Sequence, residues 1–350
     1  MKRVVASIAL AALLVAVPHA DAKRRTKRAI KSVAVTFTVR NTNTSKFACP
    51  SDGGAYQVKG HLTGPASALA SSAKRKRRAR GVTVYLHGLG VGEWLWYWPG
   101  AKNYNYAFQQ AAAGHVSVTV DRLGYGASSR PPGDQVCIGS AADVAHQLVQ
   151  ALKTGSYAVA SGKPVKYKRI ALAGHSASGE ISILEAYTYR DISALIVVAF
   201  SFSNLPAANI TFGNQRNDCT AGAGPSPGYA YFGATAAEFQ KTFFHSAVAS
   251  VKTAAAQMHP PDPCGLNTSL IDALNKQAAG ARTIKVPALE ICGANDVLYA
   301  PFGCEAQGER FASRDKKTII VKNAGHGLPL ERSASTFRRK LDQWLGRRGF

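Results

Sequence analysis

Arg169-Ile-Ala-Leu-Ala-Gly174-His175-Ser176-Ala177-Ser178-Gly179-Glu180 runs an apolar strand through a tight Gly-His-Ser-Ala-Ser-Gly turn into helical periodicity over residues 177–189. A sharp strand-to-helix turn accepts only small side chains two residues either side of its apex. It lifts the apex hydroxyl, here Ser176, above the sheet and aims the N–H of Ala177 at the same space. The competing reading of Ser176 is an ordinary helix N-cap, since serine accepts hydrogen bonds from first-turn amides. The apolar run before it and the helix after it favour a nucleophile.

Outward from this turn the chain alternates. Apolar runs stand at Val82–Leu86, Val116–Val120, Ile170–Ala173, Ala194–Phe200, Val286–Ile291 and Thr318–Val321. Runs apolar on both faces suit a parallel sheet covered by helices on each side. Helical periodicity lies between or after them, at Tyr106–Ala113, Ala141–Leu152, Ala177–Tyr189 and Ser333–Leu345. In the last of these, Phe337, Leu341, Trp344 and Leu345 form one apolar stripe. The alternation predicts an α/β fold, a doubly wound, mostly parallel sheet. Upstream, Val33, Val35, Phe37 and Val39 alternate at period two as in a half-buried strand, with Ala55–Leu62 as its partner. Residues 201–281 carry Gly, Pro and Ala without a convincing strand. A structureless loop of that length is improbable, so an inserted, mostly helical lid is expected there. The core then comprises residues 33–200 and 282–350.

With strand, elbow and helix in place, the chain resembles the α/β-hydrolase fold superfamily over roughly residues 82–345. Ser178 stands where the family's elbow usually has its last glycine, a small-for-small departure. The resemblance implies a catalytic triad in the chain order serine, acid, histidine. Leu289-Glu-Ile-Cys-Gly-Ala-Asn-Asp296 matches the family's acid position, and Val321-Lys-Asn-Ala-Gly-His326-Gly327 its base. Val84-Tyr-Leu-His87-Gly88-Leu89-Gly90 is similar to the family's oxyanion loop, which assigns the oxyanion hole to the N–H groups of Leu89 and Ala177. Asp121-Arg-Leu-Gly-Tyr-Gly-Ala-Ser128 resembles a family turn and is read as packing near the site. His87, His175, His245 and His259 are read as structural or lid residues. Trp94, Trp96 and Trp98 follow the oxyanion loop and either line an apolar substrate pocket or pack the lid onto the core. The implied activity is carboxylic ester hydrolysis through an acyl-enzyme, with no cofactor and no metal. Peptidase, acyltransferase and lyase chemistry remain open on the same triad, as does a binding protein that keeps the fold without turnover.

The 350 residues are 46% hydrophobic and 18% charged, which excludes a disordered chain. No apolar run long enough for a span follows the N-terminus, which excludes a polytopic membrane protein. Lys2 and Arg3, the apolar run Val4–Val17 and Ala20-Asp-Ala22 read as a signal peptide over residues 1–22 cleaved after Ala22. A basic leader follows over 23–32. A secreted or cell-envelope location is expected, and export makes the six cysteines disulfide candidates rather than zinc ligands. Cys292 and Cys304 flank Asp296, and a bridge between them would clamp the acid loop. Cys219–Cys264 would bracket the lid. Cys49–Cys137 follows by elimination if the first strand runs parallel to the main sheet, while other connectivities stay open. The formal charge of +23 is clumped, with five basic residues in Lys23–Arg28 and six in Lys74–Arg80. The second run is either a solvated loop or a contact for an anionic envelope surface. No nucleic-acid motif accompanies it, so no nucleic-acid partner is expected, and the partner the resemblance implies is a small-molecule ester. Oligomeric state is not legible.

Overall fold

The computed structural model describes residues 29–70, 81–203 and 205–350. The signal peptide, most of the basic leader and the Lys74–Arg80 run lie outside the described residues.

The chain opens with strands β1 (Ile30–Arg40) and β2 (Ala55–Pro65), followed by the short helix α1 (Ala66–Leu69). Next come β3 (Val82–Leu86), α2 (Tyr106–Ala113), β4 (Ser117–Asp121), α3 (Ile138–Thr154) and β5 (Ala158–Val159). The central unit is β6 (Ile170–His175), α4 (Ala177–Tyr189) and β7 (Ala194–Val198). Between β7 and the next long strand stand α5 (Pro206–Ala221), β8 (Tyr229–Ala230), α6 (Ala236–Phe243), α7 (Ala249–Gln257), β9 (Asp262–Pro263) and α8 (Cys264–Ala281). The chain ends with β10 (Ala288–Gly293), α9 (Pro301–Arg310), β11 (Lys316–Val321) and α10 (Ala334–Arg347).

Nine strands form one sheet in the order β11-β10-β7-β6-β3-β4-β2-β1-β5. The six from β4 to β11 across its centre are parallel, and β2 enters antiparallel against β4. β1 is antiparallel to β2, with Val35 opposite Gly60 and Phe37 opposite Val58. Two reversals return β1 to the direction of the central strands. Its period-two alternation is satisfied as expected, since Val33, Val35, Phe37 and Val39 are all buried. The strands β3, β6, β7 and β10 are buried along their whole length.

Alternate residues of these strands feed two separate cores, one on each face of the sheet. Val82, Val84 and Leu86 pack with α3, α4 and α8 residues such as Leu148, Leu184 and Leu270. Tyr85, Ala171 and Ala173 pack on the other face with Tyr106 of α2 and with Phe337, Leu341 and Trp344 of α10. The α10 stripe thus lies against the sheet while Arg339 and Lys340 face solvent.

Three disulfides join Cys49 to Cys137, Cys219 to Cys264 and Cys292 to Cys304. Among the described residues, no helix is long and apolar enough to cross a membrane.

Candidate active site

At the β6–α4 junction Ser176 has φ 54° and ψ −127°, a conformation that L residues adopt at a cost of about 1–3 kcal/mol. The surroundings enforce it. The Ser176 N–H donates to the Val198 carbonyl at 2.8 Å, and a Cβ on Gly174 would lie 1.8 Å from the Ser178 carbonyl oxygen. Ser178 has a task a glycine could not perform, because its hydroxyl donates to the His87 carbonyl at 2.5 Å. That bond fastens the elbow to the loop after β3. The same loop approaches the serine so closely that a Cβ on Gly88 would lie 2.8 Å from the Ser176 Cβ. Leu89 follows directly, and Ala177 opens α4, whose first amides lack partners within the helix. Both residues are buried.

The turns after β10 and β11 bring Asp296 and His326 together. His326 Nδ1 and Asp296 Oδ2 are 2.8 Å apart, with both side chains essentially shielded from solvent. The second oxygen, Oδ1, accepts the Leu298 N–H at 2.8 Å, so the carboxylate cannot swing away from the ring. The His326 carbonyl accepts from His175 Nε2 at 2.9 Å, and the two rings sit 4.7 Å apart. Burial, then the neighbouring His326, pushes the His175 pKa well below its usual value. His175 is therefore a neutral strut between the elbow and the loop bearing His326. Tyr299 completes the surround. Its ring lies 5.8 Å from that of His326, and burial raises its pKa far above the usual phenol range.

Two buried carboxylates that the sequence did not single out hold these loops. Glu331 accepts the N–H groups of Gly325 at 3.0 Å and His245 at 2.7 Å on one oxygen, and that of Ser246 at 2.6 Å on the other. Asp262 accepts Gly90 N–H at 2.7 Å and the Tyr125 hydroxyl at 2.8 Å on Oδ1, and Gln215 Nε2 at 2.7 Å on Oδ2. Arg122 reaches the same cluster, donating to the Gly88 carbonyl and to the Tyr125 hydroxyl, each at 3.0 Å. Burial raises the Asp262 pKa to about 6 even with these donors. Asp121 serves packing, as expected, because its oxygens accept the N–H groups of Glu93 and Ala127.

Of the three tryptophans, Trp96 and Trp98 pack in the core and do not wall a pocket. Trp96 is fully buried in the core, its ring 5.2 Å from Tyr106 and 5.0 Å from Tyr85, and Trp98 is 4% exposed. Trp94 donates from Nε1 to the Met258 carbonyl at 3.2 Å, which fastens the segment after α7 to the core. It also fronts a groove of about 240 Å³ shared with Tyr97, Asp121 and Met258. An indole that follows a tight loop into the sheet buries more area in the core than on a surface, and packing won. The aromatic face at the site comes instead from the segment between β7 and β10. Phe243 stands edge-on to His326 at 5.4 Å and stacks on Phe239 at 5.2 Å, while Phe244 packs at 5.1 Å. Beside these, a groove of about 330 Å³ runs between α5 and α6 and reaches Val297, next to Asp296. Behind the turn bearing Asp296, Glu290 approaches Cys292 and Cys304, but sulfurs joined in a disulfide offer no thiolate to a metal.

Residues 83–339 match the model of the alpha/beta hydrolase family, and the chain belongs to that family. Its fold is similar to that of a thermophilic esterase from Thermogutta terrifontis, at a TM-score of 0.62 and 18% identity, with 90% of this chain and 100% of that one covered. A monoacylglycerol lipase from Paleococcus ferrophilus aligns at a TM-score of 0.58 and 19% identity, over 77% and 95% of the two chains. A monoglyceride lipase variant from Saccharomyces cerevisiae aligns at 0.60 and 14%, over 88% and 97%. No curated protein sequence matches the chain.

Proposed function

We propose that this chain is an exported serine hydrolase that cleaves carboxylic esters with apolar acyl or aryl groups. The observation that carries the proposal is the buried His326–Asp296 pair at 2.8 Å beside a serine in a strained elbow. In this reading Ser176 Oγ attacks the ester carbonyl carbon while His326 Nε2 takes the hydroxyl proton. Asp296 holds Nδ1–H, which keeps Nε2 free as the base and stabilises the imidazolium that forms. The carbonyl oxygen, now an oxyanion, receives the N–H groups of Leu89 and Ala177. Collapse breaks the bond to the alcohol, which leaves with the proton from His326. Water then enters, gives a proton to His326 and attacks the acyl-enzyme, and the acid departs as Ser176 regains its hydrogen.

Helices α5–α8 act in this reading as a lid, with Phe239, Phe243 and Phe244 receiving the apolar group. Each acyl methylene buried there is worth up to about 0.8 kcal/mol. The disulfides and the apolar N-terminal run support export, and the Lys74–Arg80 run would hold the protein at an anionic envelope surface in low salt. The test is turnover of p-nitrophenyl esters from acetate to decanoate, with fluorophosphonate labelling. Ser176→Ala should lose the label and at least about 10⁴-fold in kcat, and adding His326→Ala should cost little more. Full activity in Ser176→Ala would overturn the assignment. A flat or falling chain-length series would remove the apolar acyl site.

A further inference from the structure

Far from the elbow, three ionisable side chains converge without being used by the proposed reaction. His146 comes from α3, Glu185 from the last turns of α4, and Asp191 from the loop before β7. Glu185 lies nine positions beyond Ser176, about 13 Å along the helix axis. One nitrogen or oxygen from each of the three falls within 4.8 Å of the other two. Glu185 is 0% exposed, and neither of its oxygens has a hydrogen-bond partner. Asp191 Oδ1 is likewise buried without a hydrogen bond. Three unpartnered carboxylate oxygens therefore belong to a cluster with an imidazole out of water, where each unsatisfied group is costly.

The charges that face the cluster sit to one side. Lys153 Nζ lies 3.4 Å from Asp191 Oδ2 and donates to the Asp191 carbonyl at 2.5 Å, and Gln150 Nε2 donates to Oδ2. His146 Nδ1 is 3.1 Å from the same Oδ2. Neither Lys153 nor Gln150 satisfies Oδ1 or the two Glu185 oxygens. A proton is the minimal remedy, and burial followed by the adjoining Asp191 carboxylate does hold the Glu185 carboxyl well above its usual range. One shared proton still leaves a Glu185 oxygen bare. A divalent cation would take one atom from each of the three side chains at once. The imidazole is already braced, its ring stacked on Tyr189 at 4.0 Å, with the Tyr189 hydroxyl paired to Thr44 at 3.0 Å. The His146 side chain is 25% exposed, which leaves an ion a way in.

We propose that His146, Glu185 and Asp191 form a structural binding site for a divalent first-row transition ion, which staples α3 to α4 and to the loop before β7. One imidazole with two carboxylates suits zinc and its neighbours better than calcium or magnesium, which take oxygen alone. The site stands whether or not the chain hydrolyses esters.

The experiment uses the full chain stripped with a chelator and titrated with Zn²⁺, and with Co²⁺ for its visible spectrum. Wild type should bind one ion per chain and melt a few degrees higher with Zn²⁺ in excess. Glu185→Gln keeps the shape and removes the buried carboxyl, so without metal it should melt at or above wild type. With metal it should lose the thermal gain and at least tenfold in affinity. His146→Asn, at a partly exposed position, should lose the gain too and covers the case in which Glu185→Gln fails to fold. Ester turnover, if present, should be unchanged in both. Wild type that binds no stoichiometric Zn²⁺, or variants that bind it as wild type does, would overturn the site.

Discussion

Glu331 shows how a residue outside the candidate triad can set its geometry. Its carboxylate is fully buried and accepts three backbone amides and the Ser246 hydroxyl, which ties the turn before His326 to the end of α6. Glu331→Gln would set an NH₂ against an N–H. We expect a loss of about 2–4 kcal/mol in stability, and a fall in kcat larger than any rise in KM, read by urea unfolding and steady-state kinetics. Asp262 supplies a pH dependence. Its pKa is about 6 in the folded protein against 3.8 as the ordinary value. Between those pH values the folded state keeps a proton that the unfolded chain has released. Its contribution to stability is therefore full below pH 3.8 and is lost as pH rises through about 6. The gap corresponds to about 3 kcal/mol. The stability difference between wild type and Asp262→Asn should shift against wild type by that order from pH 4 to 7. A constant difference would show that the donors around Asp262 keep it ionised throughout.

The disulfides act on different elements and should be separable. Cys219–Cys264 closes a 45-residue separation across the end of α5 and the start of α8, worth about 4 kcal/mol by chain entropy. Cys292–Cys304 closes 12 residues, worth about 3 kcal/mol, but it spans the turn bearing Asp296. Replacing the first pair by alanine should lower Tm with kcat retained. Replacing the second should lower kcat more than its smaller stability loss would suggest, as calorimetry and ester turnover on the same samples would reveal. At this scale the sequence was readable where pattern is local. Six sheet strands and four helices announce themselves by apolar run or stripe. Helix α9 does not, because its buried positions are Gly303, Cys304, Gln307 and Gly308, which leave no apolar stripe to see. β7 stops at Val198, short of the apolar run, because Ala199 turns the chain with φ 51°.

Across the whole molecule, legibility follows sequence distance. Ser176, Asp296 and His326 stand in short motifs at strand ends, so their types and order could be read before any contact was known. Asp262 and Glu331 take their roles from partners up to 172 residues away, and no local pattern marks them. The tryptophans could be read two ways because an aromatic beside a tight loop serves packing as readily as binding, and Trp96 and Trp98 pack. One further consequence lies in the backbone of Ser176. A residue with φ 54° and ψ −127° is held there by the sheet, the Val198 carbonyl and the close walls at Gly88 and Gly174. Glycine would adopt it freely, at an offset of about 0.5–1 kcal/mol in unfolded-chain entropy. Ser176→Gly should therefore unfold at a higher temperature than Ser176→Ala, and on balance at or above wild type, though under the proposed function it would turn nothing over. Selection for endurance alone would put glycine at position 176. On the proposed function, the most robust form of this protein is therefore one that has given up its chemistry.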